Sequence, residues 1–303
     1  VKYLKEHRPH FLFVHFDGVD HAGHAFGWNS PQYRRTVELT DSLVAAILAA
    51  LQSYPEKRHL VTTRVEHPAV LNLCKHLMKQ GYRVTELPVN REGLLDLDQL
   101  RDAVTPNTAV VSVMFANNET GVIFPVNEIA EIIKEKGSVF HCDAVQAAGK
   151  VPIDMSKNQI DLLSISGHKL HAPKGVGALY IRRGTRFRPF LIGGHQEHGR
   201  RGGTENIPSI IGMGKACELA GEHLIEENTR VKALRDRLEK GLLGKVPRTW
   251  LNGHPTLRLP NTTNLSFEYI EGEAILLLMS KEGIAASSGS ACTSGSLEPS
   301  HVL

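Results

Sequence analysis

The sequence predicts an α/β fold: a mostly parallel sheet flanked by helices, followed by a smaller C-terminal α+β domain. Two observations carry that prediction. Short strand-like apolar runs alternate with stretches of helical period from Phe11 to Ile181, the pattern of βαβ units. After Pro208 the period turns long and helical to about Leu243, with one later strand and one later helix.

The elements follow in order. Phe11–Phe16 reads as a strand, and Ser30-Pro31 supplies an N-cap and a first-turn proline. Tyr33, Val37, Val44, Ile47, Leu48 and Leu51 then mark one face of a helix, which Tyr54–Arg58 breaks. His59–Thr63 is strand-like, Pro68–Gln80 is a helix closed by Gly81, and Arg83–Pro88 is again a strand. The alternation continues through Thr108–Met114, Asn127–Lys136, Val139–Asp143, Asp161–Ile165 and Gly177–Ile181. The late strand is Thr263–Phe267 and the late helix Glu271–Lys281.

At 303 residues the chain can bury a large core. Its 41% apolar and 22% charged residues are ordinary for a globular protein, and a net charge of +3 argues against nucleic acid or anionic membrane as a partner. No apolar run is long enough to span a bilayer, and no signal-peptide pattern opens the chain. Cys74, Cys142, Cys217 and Cys292 are widely spaced, so a reduced cytoplasmic setting is expected rather than a disulfide framework.

Four motifs sit where strands end. Ser164-Ile-Ser-Gly-His-Lys169 places a lysine able to form a Schiff base beside Ser166 and His168, which can hold a phosphate. Pyridoxal phosphate (PLP) needs that pairing. His141-Cys-Asp143-Ala-Val-Gln146 puts a carboxylate at a strand's carboxyl end, where it can pair with a pyridine nitrogen. Asn117-Asn118-Glu-Thr-Gly121 offers side-chain amides for a ring hydroxyl, and Glu66-His67-Pro68 an imidazole that can stack on a ring or shuttle protons. Each taken singly also reads as an ordinary turn or helix entry. A fifth segment, Ala285–Ser296, is a Gly/Ser-rich loop around Cys292, which leaves that sulfur accessible.

Together with Arg201-Gly-Gly-Thr-Glu-Asn206, these motifs resemble, in order, the NifS-like cysteine desulfurases, PLP enzymes of fold type I. The resemblance runs from about His59 to Leu303. It implies that Lys169 carries the cofactor and later moves the Cα proton of the substrate, L-cysteine, and that His67 stacks on the ring and acts as acid or base. Asp143 would pair with the ring nitrogen, and Asn118 and Gln146 would reach the hydroxyl. Ser166 and His168 would hold the phosphate, with Thr204 reaching it from the partner subunit of a homodimer. Cys292 would take the substrate sulfur as a persulfide, release alanine, and pass sulfur to an iron–sulfur scaffold or another acceptor, with the persulfide able to act as an iron–sulfur ligand. A cysteine's ordinary pKa of about 8.5 requires a nearby base or cation to favour the thiolate. Alternatives are a selenocysteine lyase or related class V enzyme and, of another class, a metal-dependent phosphodiesterase fragment or a catalytically inactive fusion.

Two departures set further expectations. Nothing before His59 matches the family's Gly-Ala-Thr phosphate loop, and the chain stops at Glu298–Leu303, before the family's arginine for the substrate carboxylate. Weakened cofactor retention and substrate binding are expected. The first 58 residues, through Asp17-Gly-Val-Asp20-His-Ala-Gly-His24 and Gly27-Trp28, are similar instead to the nucleotide pyrophosphatase/phosphodiesterase branch of the alkaline phosphatase superfamily. There Asp20 and His24 would correspond to zinc ligands, a remnant without the nucleophile or the other ligands. The expected organisation is therefore 1–58 as that fragment, 59–207 as the PLP-binding domain and 208–303 as the small domain with the cysteine loop.

Overall fold

The computed structural model describes residues 11–15, 42–286 and 300–303. Its main sheet has seven strands: β1 (Phe11–His15), β2 (His59–Thr63), β3 (Arg83–Leu87), β4 (Thr108–Met114), β5 (Val139–Asp143), β6 (Leu162–Ser166) and β7 (Val176–Ile181). The spatial order is β1-β7-β6-β5-β4-β2-β3. Strands β3, β2, β4, β5 and β6 pair in parallel, whereas β7 runs antiparallel to both β6 and β1. Parallel neighbours need crossovers, which α2 (Pro68–Lys79) after β2, α3 (Leu97–Ala103) after β3 and α4 (Val126–Glu135) after β4 supply. Between β6 and β7 lies only a turn, so that pair must be antiparallel.

The central strands are buried on both faces, as a sheet covered by helices on either side requires. One face joins Val61, Val111, Val113, Phe140, Cys142, Leu163 and Ile165 to the apolar side of α4. The other face packs Leu60, Val110, Val139 and Leu162 against α1 (Ser42–Ser53) and α2 through Ile47, Leu51, Val70 and Leu77. Along this second face β5 and β6 change character. β5 reads Val139, His141, Asp143 and β6 reads Leu162, Ser164, Ser166, apolar at the start and polar at the carboxyl end. The core holds one end of the sheet while the other is left for chemistry.

Two helices follow the sheet, α5 (Ile207–Glu222) and α6 (Lys232–Lys245), and then a two-stranded antiparallel ribbon, β8 (Thr249–Leu251) and β9 (Leu265–Phe267), and α7 (Gly272–Lys281). The long helical run read after Pro208 is interrupted by a π-turn at Glu227–Val231. There Lys150 pairs with Glu227 at 2.6 Å, and the Asn228 amide donates to the carbonyl of Lys150 at 2.9 Å. Hydrogen bonds tie the ribbon region to the loop after β4: Ile123 N donates to Leu257 O and Leu259 N to Gly121 O, both at 2.9 Å, and Asn264 Nδ2 donates to Glu119 O at 3.2 Å.

The sequence reading missed α3 and β8, both too short for a clear period. The helix start at Ser30 lies outside the described residues.

Candidate active site

The strand order reverses between β2 and β4: the chain moves outward from β2 to β3, then crosses back to β4 and on to β5 and β6. Such a switch point opens a crevice beyond the carboxyl ends of the strands. Four of the motifs lie there, after β2, β4, β5 and β6, on adjacent strands spaced about 4.8 Å apart. The sheet therefore brings Glu66-His67, Asn117-Asn118, Asp143-Gln146 and Ser166-His168-Lys169 into one row.

Asp143 ends β5 and is 5% exposed. Its Oδ1 accepts the backbone N–H of Val145 at 2.9 Å, which fixes the carboxylate and begins the turn carrying half-buried Gln146. Behind it on the same face, His141 is fully buried and hydrogen-bonded at both ring nitrogens, to Ser112 Oγ at 2.9 Å and Ser164 Oγ at 3.0 Å. Burial pushes its pKa down to about 3, so the ring is neutral.

His67 caps α2: its Nδ1 accepts from Ala69 N at 3.2 Å, with Pro68 at the first helical position. Since Nδ1 accepts there, the neutral ring carries its proton on Nε2. Asn117 is buried and builds its own loop. Its Oδ1 accepts from Glu119 N and Thr120 N at 2.9 Å each, and its Nδ2 donates to Val65 O at 3.0 Å. The loop leaves Asn118 half-buried at the edge.

After β6 the chain makes a single 3₁₀ turn, Gly167–Leu170, with His168 and Lys169 exposed and Leu170 buried. Ser166 Oγ lies 2.7 Å from His168 Nδ1. The turn fits only because Gly167 lacks a side chain: a Cβ there would stand 2.8 Å from the carbonyl oxygen of Val176. It closes at His171, whose φ of 63° is left-handed, a local strain of about 1 kcal/mol two residues from Lys169.

Thr204 stands apart from this row, exposed in a loop before α5. Arg201, 2% exposed, wraps that loop and donates to the carbonyls of Gly202, Gly203 and Thr204 at 3.0–3.3 Å. Cys292, Asp20 and His24 lie outside the described residues. Burial pushes the thiols of Cys74, Cys142 and Cys217 up, to about 12 at Cys74, so none of these three is a thiolate at neutral pH.

Three residues beside the candidate site were not singled out in the sequence. Glu66 was read only as part of a motif, yet it is fully buried, with Oε1 accepting from Thr63 Oγ1 at 2.8 Å and Met114 N at 3.0 Å. At the far end of the chain, His301 Nε2 lies 3.0 Å from the Glu66 carbonyl, and Ser300 Oγ donates to Glu119 at 2.6 Å. No local pattern could have announced contacts that span the whole chain.

The donor set is a buried carboxylate, an imidazole, side-chain amides, a hydroxyl–imidazole pair and an exposed primary amine. It fits PLP, with ring nitrogen, ring face, hydroxyl, phosphate and aldehyde each given a partner of matching chemistry. Fold and donor set are thus those of PLP fold type I. The profile of the family described as "Aminotransferase class-V" matches residues 37–303, and the chain belongs to that family. The match includes α1, which precedes residue 59.

Relatives called cysteine desulfurase are 64% identical over 259 residues in Nostoc sp., covering 86% of this chain and 65% of theirs. "Cysteine desulfurase NifS" of Azotobacter vinelandii is 61% identical over 264 residues, 87% of this chain and 66% of that one. The chain thus spans just under two thirds of the length of these relatives. Among solved structures, a "NIFS-LIKE PROTEIN" superposes with a TM-score of 0.77 at 39% identity, over 82% of this chain and 68% of the other. "SspA in complex with cysteine" does so at 0.74 and 31% identity, over 99% and 78%. Residues 2–59 match the profile "Type I phosphodiesterase / nucleotide pyrophosphatase". Among the described residues no cluster of three metal-ligating side chains occurs, and no helix is long and apolar enough to cross a membrane.

Proposed function

We propose that the chain belongs to a PLP-dependent cysteine desulfurase, which converts L-cysteine to L-alanine and keeps the sulfur as a persulfide on Cys292. The observation that carries this reading is the row of Lys169, Asp143 and His67 at the switch point, in a chain 64% identical to a protein called cysteine desulfurase. A relative in fold whose title includes bound cysteine supports the substrate.

When bound, PLP supplies an electron sink for the substrate Cα. The residues do the rest. Asp143, fixed by Val145 N–H, would hold a proton on the ring nitrogen, and His67 would cover the ring face and act as acid or base. Ser166 and His168 hold the phosphate and Lys169 moves the Cα proton. The Cys292 thiolate attacks the substrate sulfur: an S–S bond forms as the Cβ–S bond breaks, and the electron pair left on Cβ takes a proton to give alanine.

The domain division at residues 58 and 207, a homodimer in which Thr204 reaches the partner's phosphate, an iron–sulfur scaffold or other thiol as acceptor, and a cytoplasmic setting belong to the same proposal. The test is a visible spectrum of the purified chain with PLP, before and after cysteine. A protein-bound band that shifts on adding cysteine is expected. A spectrum of free PLP alone overturns the reading for this chain.

A further inference from the structure

Glu66 joins more parts of the site than any residue to which the proposed reaction gives a role. It follows β2, its Oε1 takes hydrogen bonds from Thr63 at the end of β2 and from Met114 N at the end of β4, and its carbonyl accepts from His301. The next residue is His67. Met114 is the β4 residue in register with Asp143, whose charge is felt at Glu66. Oε2 is buried and makes no hydrogen bond.

We propose that Glu66 is a positioning residue of the cofactor site: as an uncharged acid it ties the His67 turn to the end of β4, leaving Asp143 as the charged carboxylate under the ring. This rests on the roles given to His67 and Asp143 above. Two neighbouring carboxylates cannot both ionise cheaply in a dry site. Among the described residues, the titratable groups that face Glu66 are Asp143 and Cys142 on β5, Cys74 on α2, and the neighbouring His67 and His301. Both thiols are neutral, as burial has raised them. Burial holds the proton on Glu66 up to about 8, the charge of Asp143 acts the same way, and the bonds from Met114 and Thr63 oppose it. The protonated oxygen is then the unpartnered Oε2, and Oε1 remains free to accept both bonds.

The experiment compares Glu66→Gln and Glu66→Ala with the wild-type chain, reading PLP affinity, the spectrum of bound PLP against pH, and the pH dependence of unfolding without PLP. Gln keeps the acceptor and the neutrality. It is expected to bind PLP as the wild type does at pH 7 and to lose a spectral change near pH 8. Ala should weaken PLP about tenfold, the effect of one lost polar contact, and move the absorption maximum. Ala indistinguishable from wild type in affinity and spectrum, or Gln as impaired as Ala at pH 7, overturns the proposal. If the wild type takes up no PLP, the cofactor reading fails first, and unfolding decides for Glu66. Stability falling toward pH 8 in the wild type but not in Gln then supports an uncharged Glu66, and identical profiles overturn it.

Discussion

The backbone N–H of Phe115 donates to the carbonyl oxygen of Asp143 at 2.7 Å. That single bond carries the β4–β5 ladder one residue past its last pair, Met114 and Asp143, into the loop of Asn117 and Asn118. The carboxylate and the amide loop are therefore set against each other by main chain alone, before any cofactor is present.

The Lys169 turn tests that kind of prearrangement. Gly167→Ala would push a Cβ to 2.8 Å from a backbone carbonyl that cannot rotate away. A loss of about 1–3 kcal/mol in unfolding free energy is expected, with PLP fixed by borohydride falling sharply as the turn shifts. Wild-type levels of fixed PLP would contradict the packing argument.

Lys169 and Cys292 separate two roles. Lys169→Ala should abolish borohydride-fixed PLP. Cys292→Ala should retain it while losing persulfide formation and alanine release with cysteine as substrate. Undiminished alanine release from the Cys292 variant would move the nucleophile elsewhere.

The joint between sheet and ribbon can be probed at Gly121, whose φ is +76° and whose Cβ would stand 2.8 Å from Thr262 Cβ. Gly121→Ala meets strain and a clash together, and a loss of roughly 2 kcal/mol or more by denaturant unfolding is expected. The variant should also disturb the Asn117 loop, whose carbonyl accepts from Gly121 N at 3.0 Å.

Two buried groups shape stability against pH. His141 titrates near 3 in the fold against 6.5 unfolded, so its contribution is complete above 6.5 and is lost as pH falls. Glu66 titrates near 8 against 4.5, so its contribution is complete below 4.5 and is lost as pH rises. Each has a limiting slope of about 1.4 kcal/mol per pH unit, and between 4.5 and 6.5 the two slopes cancel. Chemical denaturation of the PLP-free chain should show a plateau there with a fall on either side. Glu66→Gln should remove the alkaline fall alone.

Much of this site was legible because it lies in loops after strands, where Lys169, Asp143 and His67 stand in short local motifs. The fold class was legible for the same local reason, since βαβ alternation is written in neighbouring residues. Burial at the site was not. Glu66 reads as a turn residue until β4 is laid beside β2, and His141 as one histidine among 16 until Ser112 and Ser164 flank it. The antiparallel sense of β7 and the bond from His301 to Glu66 likewise depend on where distant segments meet.

The outermost position of the sheet is taken by β1, from the stretch whose sequence matches a phosphodiesterase profile rather than the class-V one. Its five residues pair with β7 from Phe11 opposite Tyr180 to His15 opposite Val176. A ladder of this kind is recognised through amide and carbonyl groups that nearly every amino acid carries, so it asks for an extended pentapeptide and not for a lineage. The border of this sheet is thus a generic socket. An extended segment of unrelated sequence can be seated there while the inner strands, which carry the candidate site, stay under their own constraint.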